Sequence, residues 1–284
     1  MRWDNERESD NVEDRRGFRV SRGMVGGGLG TIVLALVAMY FGLDPSILIN
    51  QTQSPVVQSS PSVPRSPSPE ENRLAKFVSV VLADTEDTWN ELFRRSGKKY
   101  REPTLVLFSG AVESACGLAS AAVGPFYCPK DQKLYIDLSF YGDLRNKFGA
   151  PGDFAQAYVI AHEIGHHVQN LLGIADRVQS LQARAGKAEA NELSVMMELQ
   201  ADCLAGVWAY HAQKARHILE PGDMEEALQA ASSIGDDRLQ RQSRGYVTPD
   251  SFTHGSSAQR VSWFQRGIRS GDLSQCNTFK TDRL

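Results

Sequence analysis

The stretch Ala161–His167, which reads AHEIGHH, constrains this chain more than any other part of its sequence. On an α-helix, His162 and His166 lie about 40° apart around the axis and roughly 6 Å apart along it, so both imidazoles project from one face. Two such nitrogens can hold one zinc ion. Glu163 lies about 100° from His162 and can reach a water on that ion. The spacing therefore predicts metal-assisted hydrolysis.

The residues around this stretch predict a helix with a buried face. Asp153 and Gln156 have the spacing of a capping box, and Gly173 stands where the helix is expected to stop. Apolar residues recur at helical spacing between them, namely Ala157, Ile160, Ala161, Ile164, Val168 and Leu171. The metal face of this helix would therefore lie beside the core.

A third zinc ligand has to come from elsewhere, because a catalytic zinc ion takes three protein ligands and one water. A second helix is predicted over 189–215, and it places Glu198 and Asp202 on one face. Apolar residues around Glu198 and Asp202 indicate that this part of the helix is buried. Buried carboxylates need partners that offset their charge. We expect Glu198 to bind zinc and Asp202 to accept the second ring N–H of His162 or His166.

The other histidines are weaker candidates for metal binding. His167 and His211 point away from the predicted metal face, and His217 lies farther along the chain. His254 is the candidate donor for an oxyanion in catalysis, with a purely structural role as the alternative.

The N-terminal quarter of the chain predicts an anchor and a linker. Residues 1–22 mix arginines with acids and should form a solvated cytoplasmic tail. The predicted span is residues 23–43. The stretch Met24–Leu43 contains no charged residue and, at about 20 residues, is long enough to cross a bilayer as a helix. Residues 44–70, rich in Ser, Pro and Gln, should be a disordered linker. The zinc domain would then occupy residues 71–284.

The charges around the predicted span set its orientation. Arginines precede it, and no Lys or Arg follows it before Arg65, so the positive-inside rule puts the N-terminus in the cytoplasm. The domain would then be extracytoplasmic, which is periplasmic or extracellular in a bacterium. A cleaved signal peptide is the rival interpretation, but no convincing cleavage site follows the apolar run.

The remaining patterns predict an α+β fold that is mostly helical. Helices are expected at 71–96 and 258–268, and strands at 104–108 and 134–138 should form a small sheet. The segment 235–256 is rich in turn residues. The edge of the second strand is a possible site for an extended peptide.

The four cysteines contain no C-x-x-C pair, so a cysteine zinc site is not expected. In an oxidising compartment we favour Cys116 with Cys128 and Cys203 with Cys276 among the three possible pairings. In a reducing compartment they would be buried thiols. The formal net charge of −3 gives no indication of nucleic-acid binding.

The arrangement of His162, Glu163, His166, Glu198 and Asp202 resembles that of gluzincin zinc peptidases. More closely, the chain resembles a bacterial family of neutral zinc metallopeptidases. The resemblance is carried by Ser114–Gly117, Gly124–Pro129, Tyr135–Asp137, the His162 helix, Glu198–Gly206, His254–Gly255, Gln259–Arg260 and Trp263–Phe264.

This resemblance implies a zincin-like metallopeptidase domain behind a membrane anchor. It implies Zn²⁺ as the cofactor, with His162, His166 and Glu198 as ligands and Glu163 as the base. The expected partners are a peptide or protein substrate and the membrane, while the oligomeric state is not predicted.

Two alternatives keep the zinc ion but change the function. The first is a zinc-dependent amidase that acts on an envelope component. The second is a membrane-tethered scaffold whose zinc is structural, which would require a fourth protein ligand.

Overall fold

Helices account for most of the structure, a computed structural model that describes residues 1–17 and 67–279. The first helix, α1 (Pro69–Arg95), begins with a capping box in which the Ser68 and Glu71 side chains each accept the other's backbone N–H. Its apolar face is buried over most of its length. The helix predicted at 71–96 is therefore confirmed.

The described strands form a small mixed sheet and a separate hairpin. Their strands are β1 (Val12–Asp14), β2 (Thr104–Phe108), β3 (Ala111–Ser114), β4 (Gly117–Ser120), β5 (Phe126–Cys128) and β6 (Lys133–Asp137). The sheet has the order β1-β2-β6-β5, with β5 antiparallel to β6 and the other pairs parallel. Both predicted strands are confirmed, with the second displaced by one residue. The hairpin β3-β4 and the strand β5 were not predicted.

Seven further α-helices lie in the described part of the chain. They are α2 (Ser139–Asn146), α3 (Asp153–Leu171), α4 (Ile174–Gln182), α5 (Lys187–Arg216), α6 (Asp223–Ser233), α7 (Asp236–Arg244) and α8 (Ser257–Ser270). Helices α3, α5 and α8 match the predicted ones. Helix α7 lies in the segment that was interpreted as turns, since its residues are almost all polar and carry no apolar periodicity. The predicted α+β class, mostly helical with a small sheet, is confirmed.

The predicted capping box at the start of α3 is wrong. The N-cap is Gly152, and Asp153 is the first helical residue. The Asp153 carboxylate lies 2.5 Å from the Met1 amine instead. The orphan N–H of Phe154 donates to Glu226 of α6 at 3.0 Å. A side chain from a neighbouring helix therefore replaces the local cap.

Residues 1–17 are not the solvated tail that their charges predict. Met1 and Trp3 are each 7% exposed, and the Trp3 ring packs edge-to-face on Phe77 of α1. Strand β1 adds to the sheet in parallel with β2. These contacts require residues 1–17 and the helical domain to lie together. The predicted topology, with the two on opposite sides of a bilayer, does not fit them.

The predicted span at 23–43 and most of the predicted linker at 44–70 lie outside the described residues. Within the described ranges, no helix is long and apolar enough to cross a membrane.

Two disulfides join distant parts of the fold. Cys116 pairs with Cys128 and connects the β3-β4 hairpin to β5. Cys203 pairs with Cys276 and fastens the C-terminal segment to α5. The favoured pairing is therefore confirmed.

Helices α5 and α8 cross with their backbones in contact. A Cβ atom at Gly206 would lie 2.2 Å from the carbonyl oxygen of Phe264, and one at Gly267 would lie 2.0 Å from that of Cys203. Two glycines facing each other's helix therefore permit this close approach, which holds α8 against the helix that carries Glu198.

Adding a methyl group at this crossing should destabilise the fold. We expect Gly267→Ala to lower the free energy of unfolding by about 3 kcal/mol, because backbone atoms rather than side chains must move. Gly142→Ala, inside α2 with nothing within 4 Å of the new Cβ, is the control and should raise stability by up to about 1 kcal/mol. Urea unfolding measures both. A Gly267→Ala protein as stable as wild type would contradict the packing argument.

Candidate metal centre

The close approach of α3 and α5 creates the candidate site. A Cβ atom at Gly165 would lie 3.0 Å from both Cα and the carbonyl oxygen of Ala201. Glycine at this position therefore lets the two helices meet with little side-chain volume between them. One residue C-terminal to Gly165 is His166, and three residues N-terminal to Ala201 is Glu198. The crossing thus brings the histidine face of α3 onto the carboxylate of α5.

His162, His166 and Glu198 form one group of potential ligands, as the sequence predicts, with their ligand atoms within 4.8 Å of one another. The Nε2 atom of His162 lies 3.1 Å from Glu198 Oε2, and that of His166 lies 3.4 Å from Glu198 Oε1. Tetrahedral ligands at zinc bond lengths are separated by about 3.4 Å. The donor set and its spacing therefore fit a zinc ion.

The charges of this group also favour a cation. Burial lowers the pKa of His162, but Asp202 and Glu198 outweigh it and raise that pKa to about 9. Burial raises the pKa of Glu198, but both histidines outweigh it and hold the pKa well below its usual range. Two carboxylates therefore stay ionised beside the imidazoles, which is the electrostatic environment that a divalent ion requires.

Asp202 orients His162 from the side opposite Glu198. Its Oδ1 atom lies 2.8 Å from His162 Nδ1, as the sequence predicts. Arg260 of α8 donates to both oxygens of Asp202 at 2.9 Å, and the Tyr158 hydroxyl donates to Oδ1 at 2.5 Å. Burial raises the pKa of Asp202, but Arg260 and His162 more than compensate and lower it. A fully buried carboxylate is thus kept ionised by a fully satisfied set of partners.

Tyr158 and Gln169 are site residues that the sequence analysis missed. Gln169 is completely buried, and its Oε1 atom lies 2.9 Å from His166 Nδ1. Helical spacing could have indicated both, since Tyr158 lies four residues before His162 and Gln169 three residues after His166. The two imidazoles therefore have different outer partners, a carboxylate and a neutral amide.

Glu163 points at the same centre without joining the ligand group. The backbone N–H of Tyr127 in β5 lies close enough to lower the pKa of this carboxylate. Burial raises the pKa of Glu163, and the nearby histidines oppose that shift only in part. A carboxylate of raised basicity beside the ligand group is suited to accept a proton.

His254 approaches the site from the loop before α8. Asp236 Oδ2 accepts the backbone N–H groups of Thr253, His254 and Gly255, which fixes this loop. The Nδ1 atom of His254 lies 3.4 Å from Asp236 Oδ1. Burial lowers the pKa of His254, but Asp236 and Glu198 outweigh it and raise that pKa. His254 is therefore close enough to Glu198 for the carboxylate to raise its pKa.

The other histidines lie apart from the metal group, as predicted. His167 is completely buried and contacts the Tyr127 hydroxyl and the Arg101 carbonyl oxygen, and burial lowers its pKa to about 4. His211 contacts the carbonyl oxygen of Gly271, and His217 ends α5 with a positive φ of 55°. His167 therefore joins α3 to the sheet region.

Comparison with known proteins assigns the chain to a family. The family model described as "Putative neutral zinc metallopeptidase" matches residues 1–279, including β1. The chain is 56% identical over 290 residues to "Uncharacterized protein YpfJ" of Escherichia coli (strain K12), covering 98% of this chain and 99% of the relative. It is 42% identical over 262 residues to "Uncharacterized protein Rv2575" of Mycobacterium tuberculosis (strain ATCC 25618 / H37Rv), covering 87% and 86%. No solved structure matches.

Three potential metal ligands with an adjacent carboxylate are typical of metal-dependent hydrolases, and the chain belongs to the neutral zinc metallopeptidase family. The family name implies zinc as the cofactor, and the donor set described above is consistent with that ion.

Removing the carboxylate of the ligand group should remove the metal. We expect purified Glu198→Ala to retain less than about one tenth of the zinc bound by wild type, because two protein ligands replace three. Glu192→Ala changes an exposed carboxylate on the same helix and should retain full zinc. Elemental analysis after dialysis measures both. Full occupancy in Glu198→Ala would contradict the ligand assignment.

Proposed function

We propose that this protein is a zinc peptidase of the gluzincin-like zincin type that hydrolyses peptide bonds with Glu163 as the general base. The observation that carries this proposal is the convergence of His162, His166 and Glu198, with the Glu163 carboxylate close enough for these groups to shift its pKa. The three ligands leave room for water, which a hydrolytic site requires.

Zinc held by His162, His166 and Glu198 would act as a Lewis acid and lower the pKa of a bound water towards about 7. Glu163 accepts the proton of the attacking water, and it then delivers that proton to the leaving amine. Its raised basicity suits both steps, because the group has to take up a proton and give it back at the same pH.

His254 is the group that we assign to the oxyanion of the attacked carbonyl. Its Nδ1 atom faces Asp236, which places a negative charge behind the ring and favours a positively charged imidazole. The other ring nitrogen is then the donor for the developing oxyanion. The three backbone N–H groups held by Asp236 keep the loop in place for this role.

A peptide substrate is favoured by the position of β5. This strand ends the described sheet and pairs on one side only, with β6. Strand edges bind extended peptides through backbone hydrogen bonds. The strand predicted at 134–138 has no such edge, because β6 lies between β2 and β5. The available edge belongs instead to β5, which carries Tyr127 near Glu163.

The amidase alternative uses the same site and differs only in the substrate, so a comparison of peptide and envelope-derived amide substrates decides between them. The scaffold alternative requires a closed site with four protein ligands. In the described ranges the group contains three. This count favours an open, catalytic site.

We propose an extracytoplasmic location for the domain. The support is chemical, because two disulfides persist in an oxidising compartment and are rare in a reducing one. The packed N-terminal segment, residues 1–17, is assigned to the same side as the domain.

Replacing the base should remove activity and leave the metal in place. We expect Glu163→Gln to lower kcat on an unfolded protein substrate by about 10³-fold with unchanged zinc content, because the amide cannot accept the proton. Glu192→Gln, the same change on the outer face of α5, should leave both quantities unchanged. Retained zinc with wild-type activity in Glu163→Gln would refute the mechanism.

Removing the imidazole of His254 should affect the transition state more than the metal. We expect His254→Ala to lower kcat by about 10²-fold, with zinc content unchanged and KM within about threefold. His217→Asn removes an imidazole at the end of α5 and is expected to behave as wild type. If kcat were unchanged in His254→Ala, the histidine would have only a structural role.

A further inference from the structure

His166 depends on Gln169 for its orientation. Its Nε2 atom faces Glu198 on the metal side, so Nδ1 carries the hydrogen and donates to Gln169 Oε1 at 2.9 Å. His162 is held by the ionised Asp202 instead. A neutral amide attracts an imidazole less than a carboxylate does, so the direction in which the amide points matters more for His166.

The direction of the Gln169 amide is set by α5. Its Nε2 atom donates to the carbonyl oxygen of Met197 at 2.8 Å and to Gln200 Oε1 at 3.1 Å. A flipped amide would place its oxygen against two acceptors and its NH₂ group against the N–H of His166. The two bonds to α5 therefore select the orientation that His166 requires.

Gln200 is oriented in turn by the C-terminal segment, Cys276–Phe279. Its Nε2 atom donates to the carbonyl oxygen of Cys276 at 2.9 Å, which leaves Oε1 facing Gln169. Gln200 is 7% exposed and Gln169 is completely buried, so water cannot readily replace these bonds. The chain of bonds continues without interruption from Cys276 to His166.

Three contacts hold the C-terminal segment against α5. Cys276 forms a disulfide with Cys203, and Thr278 Oγ1 donates to the carbonyl oxygen of Met196 at 2.6 Å. Phe279 is 4% exposed and packs in a cluster with Met196 and Leu193 of α5. The segment thus fastens the turns of α5 on either side of Glu198.

We propose that the C-terminal segment sets the zinc affinity of the site, through Gln200 and Gln169 as positioning residues for His166. This inference rests on the proposed zinc site. The C-terminal segment, more than 70 positions from the ligands, would thereby help to hold the metal.

The test measures zinc affinity on the full chain, by competition with a chromophoric chelator. Gln169→Leu should weaken zinc binding by about 10- to 100-fold, the usual effect of removing an outer partner of a metal ligand. Gln200→Leu should weaken it by about 3- to 10-fold, because one of the two bonds that orient Gln169 remains. Gln182→Leu is the matched control, since Gln182 also donates two bonds to α5 but lies outside this chain of bonds. Its zinc affinity should equal that of wild type.

Coupling between the substitutions separates positioning from a general loss of stability. In the Gln169→Leu background, Gln200→Leu should add less than about twofold, because Gln200 acts only through Gln169. The double substitution Cys203→Ala/Cys276→Ala should weaken zinc binding by about 3- to 10-fold, whereas Cys116→Ala/Cys128→Ala should leave it within about twofold. Unfolding curves recorded with chelator report the stability of each metal-free protein. Gln200→Leu keeps the disulfide and supplies the test if the cysteine variants do not fold.

The outcomes are distinguishable. Wild-type affinity in Gln200→Leu, or additive effects of the two glutamine substitutions, would overturn this inference while leaving the zinc site intact. A wild-type protein that binds no zinc would instead contradict the proposed function.

Discussion

The crossing of α3 and α5 at Gly165 and Ala201 is the contact on which the candidate site depends. Neither residue contributes a functional group, yet a Cβ at Gly165 would meet the α5 backbone at 3.0 Å. Because the helices approach so closely, Glu198 reaches both imidazoles. Buried charges are stable only when each has its partner within hydrogen-bond distance. A wider crossing would leave a carboxylate and two imidazoles without the interactions that offset their burial.

The two metal-facing histidines are supported in different ways, and the difference follows from their surroundings. His162 faces the core, where Asp202 is completely buried and needs the guanidinium of Arg260 to stay ionised. That requirement connects α8 to the site, and the facing glycines of α5 and α8 permit the approach. His166 lies nearer the C-terminal segment, where an amide avoids the cost of burying another charge. Both arrangements orient a ring nitrogen, but the amide relies on directed bonds rather than on attraction between charges.

Local sequence patterns were sufficient for the long helices and the two central strands. Apolar periodicity over 71–96 and over 189–215 is strong, and both helices lie where it places them. Local patterns did not predict the parts of the fold whose contacts come from residues far away in the chain. Residues 1–17 are rich in charge, but Trp3 packs on α1 and β1 joins β2, which are more than 60 residues away. Helix α7 has almost no apolar residues, and the cap of α3 comes from Glu226 in another helix.

The sequence by itself determined the chemistry of the candidate centre. Helical spacing fixes that His162 and His166 share a face, that Glu163 lies beside them, and that Glu198 and Asp202 form a second such pair, because these relations follow from 3.6 residues per turn. Only the tertiary structure decided which faces of α3 and α5 contact each other. It placed Arg260 and Tyr158 on Asp202, Gln169 and Gln200 behind His166, and β5 rather than β6 beside Glu163. Such contacts join residues far apart in the chain, and no local periodicity records the side-chain directions and helix distances on which they depend.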